Sequence, residues 1–181
     1  MQDFTKLTEI AEDSNQPPAA LSKAYFYKAK ALKKMNNLND AILYFEQVIR
    51  ANEDNHLASS ALYEIAKIKI QQKDFYEAYY NLKRANHFKL KQKKLVNYKM
   101  FTEGVIFLMK RKTKTGLKLI SQLIDRLKPT NNEEKSQERG PDQIADASPD
   151  YIYNLVFLYR AYGYFVTEEY DNALKDYIKA N

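Results

Sequence analysis

Small residues recur in this chain in pairs whose members stand twelve positions apart. Two antiparallel helices approach closely only where the side chains at their crossing are small, and the turn between them sets the spacing of the two positions. Four such pairs occur in 181 residues, and they predict four helical hairpins. The pairs are Ala29 and Ala41, Ala66 and Ala78, Gly104 and Gly116, and Ala161 and Ala173.

Apolar residues follow the second member of each pair at helical spacing. A large side chain comes four positions later, and another apolar residue comes three positions after that. This i, i+4, i+7 stripe is the buried face of an amphipathic helix. The chain has only 4 Gly and 5 Pro, which favours long helices over a sandwich or barrel, so we predict an all-α fold. The large side chains are Phe45, Leu82, Ile120 and Tyr177, and the later positions are Val48, Ala85, Leu123 and Ala180.

The pattern resembles the tetratricopeptide repeat, a unit of about 34 residues with small residues at its eighth and twentieth positions. The resemblance is strongest from Tyr170 to Ala180, a run similar to the second helix of that family. It implies a right-handed α-solenoid of antiparallel helix hairpins with about nine helices. The repeats would occupy residues 22–55, 59–92 and 97–130, with a truncated fourth repeat at 150–181.

Two further segments complete the predicted organisation. Phe4, Leu7, Ile10 and Ala11 share one helical face, so we predict a leading helix over residues 1–16 that serves as a half-repeat or cap. Residues 131–149 are rich in polar side chains and contain almost no large apolar residue, so we predict a mobile loop insertion there.

The resemblance also implies a concave groove lined by the first helix of each repeat. The matching positions would pass from basic to aromatic, which suits a partner peptide with acidic residues at one end and apolar anchors at the other. An alternative is that the apolar end packs against neighbouring repeats. The predicted groove residues are Lys23, Phe26, Lys30, Lys34, Tyr63, Lys67, Tyr98 and Phe101.

Positive charge is concentrated in the middle of the chain. Between Ala78 and Ile124 there are twelve basic residues and one acid, Glu103. This basic patch is either a solvated surface whose Lys stems cover apolar area, or a docking site for an acidic protein segment or nucleic acid. Its principal members are Lys83, Arg84, Lys91, Lys94, Lys110, Arg111 and Lys112.

Catalytic chemistry has little support in the sequence. There is no Cys, the two histidines His56 and His87 are far apart, and no Gly-rich phosphate-binding loop occurs. We therefore expect no enzymatic activity, no cofactor and no metal site. No apolar run reaches the roughly 18 residues of a membrane span, so we expect no membrane partner.

A protein-interaction scaffold is the leading functional hypothesis. The chain would be a segment of a longer array within a multi-protein assembly, in the cytoplasm of the cell, with a cytoskeletal or ciliary setting as one option. Self-association through an uncapped C-terminal face is a further option, because solenoids need their terminal units covered. The alternative is a helical-repeat RNA-binding protein that uses the basic patch over residues 83–118.

Overall fold

The computed structural model describes residues 18–51, 55–87, 93–127 and 149–181, and the side chains of residues 20–51, 56–85, 95–127 and 152–181. These ranges contain eight α-helices and no strand, so the predicted all-α fold is confirmed for them. The helices are α1 (Pro18–Lys34), α2 (Leu38–Ala51), α3 (Asn55–Gln71), α4 (Phe75–His87), α5 (Lys93–Met109), α6 (Thr113–Leu127), α7 (Pro149–Val166) and α8 (Tyr170–Ala180).

Two predicted segments lie outside the described residues: the leading helix at 1–16 and the loop at 131–148. Pro149, which the prediction included in the loop, is the first residue of α7. The chain divides into two compact units, Met1–Lys99 and Met100–Asn181, with the boundary inside α5.

In the first unit, α2 packs against both α1 and α3, and α3 packs against α4. Ala41, Phe45 and Val48 form the buried stripe of α2 at the predicted helical spacing. Ala29 of α1 and Ala61 of α3 belong to the same apolar core. Burying this stripe stabilises the hairpin, because each Å² of apolar surface removed from water contributes about 25 cal/mol to the free energy of folding.

In the second unit, α7 packs against both α6 and α8. The crossing of α5 and α6 is close enough to require glycine. A Cβ atom on Gly116 would lie 2.9 Å from the backbone oxygen of Gly104, and a Cβ atom on Gly104 would lie 2.7 Å from Cγ1 of Ile120. The six alanines of the other three pairs are also buried, at 3% exposure or less.

The same turn joins the two helices of each hairpin. Its middle residue has a positive φ in all four cases, between 58° and 64°, at Asn36, Lys73, Arg111 and Glu168. The following N–H donates to the carbonyl five residues earlier, at 2.8–3.0 Å, which is the Schellman arrangement at a helix C-terminus. The N–H of the second small residue then donates to the last turn residue, as Ala41 does to Asn37 at 3.1 Å. The small residue therefore enters the second helix one turn after its start.

Candidate protein-interaction site

A buried ionic cluster connects the first helices of the first two hairpins. Glu64 of α3 accepts a hydrogen bond from Lys33 of α1 at 2.6 Å, and its other oxygen lies 2.6 Å from Nζ of Lys67. The side chains of Glu64 and Lys67 are 7% and 8% exposed. Two ammonium groups therefore contact one carboxylate in a largely buried setting, where the attraction between opposite charges is stronger than in water.

Aromatic rings continue this cluster towards α5. Nζ of Lys67 lies 4.8 Å from the centre of the Tyr63 ring, a cation–π contact. Tyr63 in turn contacts Tyr98 of α5: the centres of the two rings are 5.4 Å apart, and the rings are nearly perpendicular. Burial by these rings holds Lys67 in place and leaves Lys33, at 21% exposed, as the member of the cluster nearest to solvent.

One face of α1 surrounds Lys33 with further positive charge. Lys23 and Lys34 are exposed, and Lys30 is half-buried with its Nζ 5.9 Å from the centre of the Phe26 ring. Positions 23, 26, 30 and 34 recur at helical spacing and share this face. The whole helix contains five lysines and no acidic residue. The face therefore presents cations beside an apolar ring.

The structure places four of the predicted groove residues in the core. Tyr63, Lys67 and Tyr98 are each 8% exposed, and Phe101 is fully buried. Phe101 packs against Tyr159 of α7, with the ring centres 5.6 Å apart. The prediction that these four side chains line an open groove does not fit the structure, because all four are buried. Lys23, Phe26, Lys30 and Lys34 remain accessible.

The principal members of the basic patch are exposed wherever the structure describes their side chains. Lys83 and Arg84 lie on the solvent side of α4 in the first unit. In the second unit the turn before α6 carries three consecutive exposed cations, Lys110, Arg111 and Lys112. The side chains of Lys91 and Lys94 lie outside the described residues.

A second ion pair, which sequence reasoning missed, joins α7 to α8. Arg160 donates two hydrogen bonds to Asp176, at 2.6 and 2.8 Å, and its third nitrogen lies 3.5 Å from the hydroxyl of Ser121 on α6. Cζ of Arg160 lies 5.5 Å from the centre of the Phe157 ring and 5.7 Å from the centre of the Tyr164 ring. The available signal was the place of Arg160 directly before the small residue Ala161, beside the predicted helix crossing.

In the described ranges, no three His, Asp or Glu side chains come together in a way that could hold a metal ion. Crossing a bilayer demands a longer and more apolar helix than any found in those same ranges.

No protein-family model matches this chain, and no curated protein does so either. The fold is similar to the crystal structure of BtubC (BKLC) from P. vanneervenii, with a TM-score of 0.60. The two share 14% identity over 98% of this chain and 68% of that chain. At this identity the similarity concerns the fold alone, and it supports a helical-repeat-like all-α architecture.

Proposed function

We propose that this protein is a tetratricopeptide-type interaction scaffold without catalytic activity, whose hairpins stack into a right-handed solenoid. The repeated turn and the small residues at the same place in each hairpin support this reading. Small-angle X-ray scattering tests the solenoid. A compact globule of 181 residues has a radius of gyration of about 16 Å, and an extended solenoid should have a larger one. A measured value close to that of the globule would contradict the solenoid.

The proposed docking site is the lysine face of α1, and the observation that carries it is the charge of that helix. The helix has five lysines and no acidic residue, and three of those lysines, Lys23, Lys30 and Lys34, share one accessible face beside Phe26. An acidic segment of a partner protein would complement the positive charge of this face, and an apolar side chain beside it would cover Phe26.

Fluorescence anisotropy with designed peptides tests this site. The probe is a labelled peptide of alternating Glu and Leu, and its matched control replaces every Glu by Gln. We expect binding of the acidic peptide only, and a loss of about tenfold or more when Lys23, Lys30 and Lys34 are all changed to Gln. The control variant changes Lys114, Lys118 and Arg126 of α6 to Gln, which removes the same charge elsewhere.

The site is refuted if the acidic peptide does not bind at low salt, or if the two triple variants weaken binding equally. Equal weakening would show that net charge, and not the α1 face, attracts the peptide.

RNA binding is the second candidate, and an aromatic stripe on α4 favours it. Tyr76 and Tyr80 are about half exposed, one turn apart, and the guanidinium of Arg84 lies 5.6 Å from the Tyr80 ring. Exposed rings with adjacent cations are the features on which single-stranded bases stack. Titration of labelled single-stranded RNA at two salt concentrations tests it, because affinity should fall steeply with salt, by roughly 0.7 log units per phosphate contact for each tenfold increase. Absence of binding at low salt removes this candidate.

A further inference from the structure

An apolar strip runs along the exposed side of α8. Tyr170, Leu174, Tyr177 and Ile178 recur at helical spacing, and their exposed fractions are 58%, 61%, 40% and 68%. The ring of Phe165 at the end of α7 lies 5.8 Å from that of Tyr170 and extends the strip. Side chains of this size rarely cluster on a surface unless another molecule covers them.

The other hairpins show what these positions do when they are covered. Tyr177 stands four residues after the small residue Ala173, as Phe45, Leu82 and Ile120 do in the other hairpins, and those three are fully buried. Leu174 corresponds to Leu117 of α6, whose side chain reaches Gly163 of the following helix, α7. The strip on α8 therefore includes positions that are packed against other helices in the earlier hairpins.

Charge along α8 indicates which helix fits. Acids stand at its N-terminal end, Glu168, Glu169 and Asp171, and cations stand towards its C-terminal end, Lys175 and Lys179. Glu169 is held in place, since it accepts hydrogen bonds from Asn172 at 2.9 Å and Thr167 at 3.1 Å. An open surface depression of about 410 Å³ at this end is lined by these acids together with Tyr170, Asn172 and Lys175.

We propose that two copies of this chain pair antiparallel through α8, about a two-fold axis beside Leu174. In this arrangement Leu174 meets its own counterpart, Tyr170 meets Ile178 of the partner subunit, and Asp171 lies near Lys175 of the partner subunit. The antiparallel direction places each acidic end against a basic end and opposes the two helix dipoles, whereas a parallel pair would set like charges together. This dimer does not depend on the acidic-peptide site on α1.

Sedimentation equilibrium of the full chain tests the dimer over protein concentrations from about 1 µM to 1 mM. We expect a monomer–dimer equilibrium that stops at two, and its loss in Ile178→Glu and Leu174→Glu. The matched control is Leu43→Glu, which places the same charge on a leucine of α2 that is 58% exposed. Circular dichroism shows whether each variant keeps its helices.

A charge exchange identifies the orientation. Asp171→Lys and Lys175→Asp should each weaken the dimer by about tenfold, because each sets like charges across the axis. The double variant should return the dissociation constant to within about threefold of the original. The proposal is overturned by a monomer at every concentration, in which case another polypeptide covers the strip. It is equally overturned by assembly beyond two copies, by a dimer that survives Ile178→Glu, or by a double variant no stronger than the single ones.

Discussion

Arg160 of α7 donates two hydrogen bonds to Asp176 of α8, with lengths of 2.6 and 2.8 Å. The side chains are 17% and 4% exposed, so this pair lies inside the last hairpin. The hydrogen bond to Asp176 raises the pKa of Arg160 above its usual value, against the opposing effect of burial. A planar guanidinium suits this bidentate contact in a way that an ammonium cannot.

Removing the guanidinium should destabilise the second unit strongly. Arg160→Met leaves the Asp176 carboxylate buried without its partner, so we expect a loss of about 3 kcal/mol in the free energy of unfolding. Arg50→Met is the control, because Arg50 and Glu46 form an exposed pair at 3.8 Å that should contribute less than about 0.5 kcal/mol. Urea denaturation measures both. Equal losses would mean that the Arg160 pair has no special role.

Adding one methyl group at the α5–α6 crossing should also cost stability. In Gly116→Ala the new Cβ would lie 2.9 Å from a backbone oxygen of Gly104, which cannot move without separating the helices. We expect a loss of about 1–3 kcal/mol. In Gly163→Ala the nearest obstacle is the end of the Leu117 side chain at 2.6 Å, which can rotate away. Both variants gain about 1 kcal/mol in helix propensity, but only in Gly163→Ala does that gain offset the new contact. Thermal unfolding of the two variants should rank Gly116→Ala well below Gly163→Ala; the reverse order would contradict the close crossing.

Glycine in the hairpin turns should stabilise the chain. Lys73, Arg111 and Glu168 have φ of 62°, 58° and 64°, a conformation that costs a residue with a Cβ atom about 1 kcal/mol. Replacing each by Gly should raise the free energy of unfolding by up to that amount, while Asn36→Gly should gain less because Asn tolerates this region. Lys83→Gly, on the exposed side of α4, is the control and should lose about 1 kcal/mol. A loss at all three turns would argue against the shared turn geometry.

The buried cluster in the first unit should depend on its carboxylate. Glu64→Gln removes the carboxylate that both Lys33 and Lys67 contact in a largely buried setting, and we expect a loss of about 3 kcal/mol in the free energy of unfolding. Changing Glu64 to Leu and Lys67 to Met together should recover most of this loss, because Lys33, at 21% exposed, can turn towards water. Chemical denaturation checks both variants, with Glu46→Gln as the exposed control. A double variant as unstable as Glu64→Gln would show that the packing, and not the charge, was lost.

Local sequence pattern was enough to predict helices joined as hairpins. Side-chain size at the crossings and the 3.6-residue period depend on near neighbours in the chain, and the helices over 38–51 and 170–180 follow them closely. The same pattern did not reveal the turn conformation at Lys73 or Arg111. Long cationic side chains are not typical of positive φ, and the helices on either side impose it.

What the sequence by itself determined was the repeating spacing of small and large apolar residues, since that spacing acts within one hairpin. Only the tertiary structure decided which charged and aromatic side chains reach water. Lys33 and Glu64 are 31 positions apart, and Arg160 and Asp176 are 16 apart, so these contacts exist only because separate helices meet. Phe101 is buried for the same reason, whereas Leu174 and Ile178 stay exposed because no described helix packs on them. Burial is a property of what lies opposite a residue, and sequence spacing alone does not supply it.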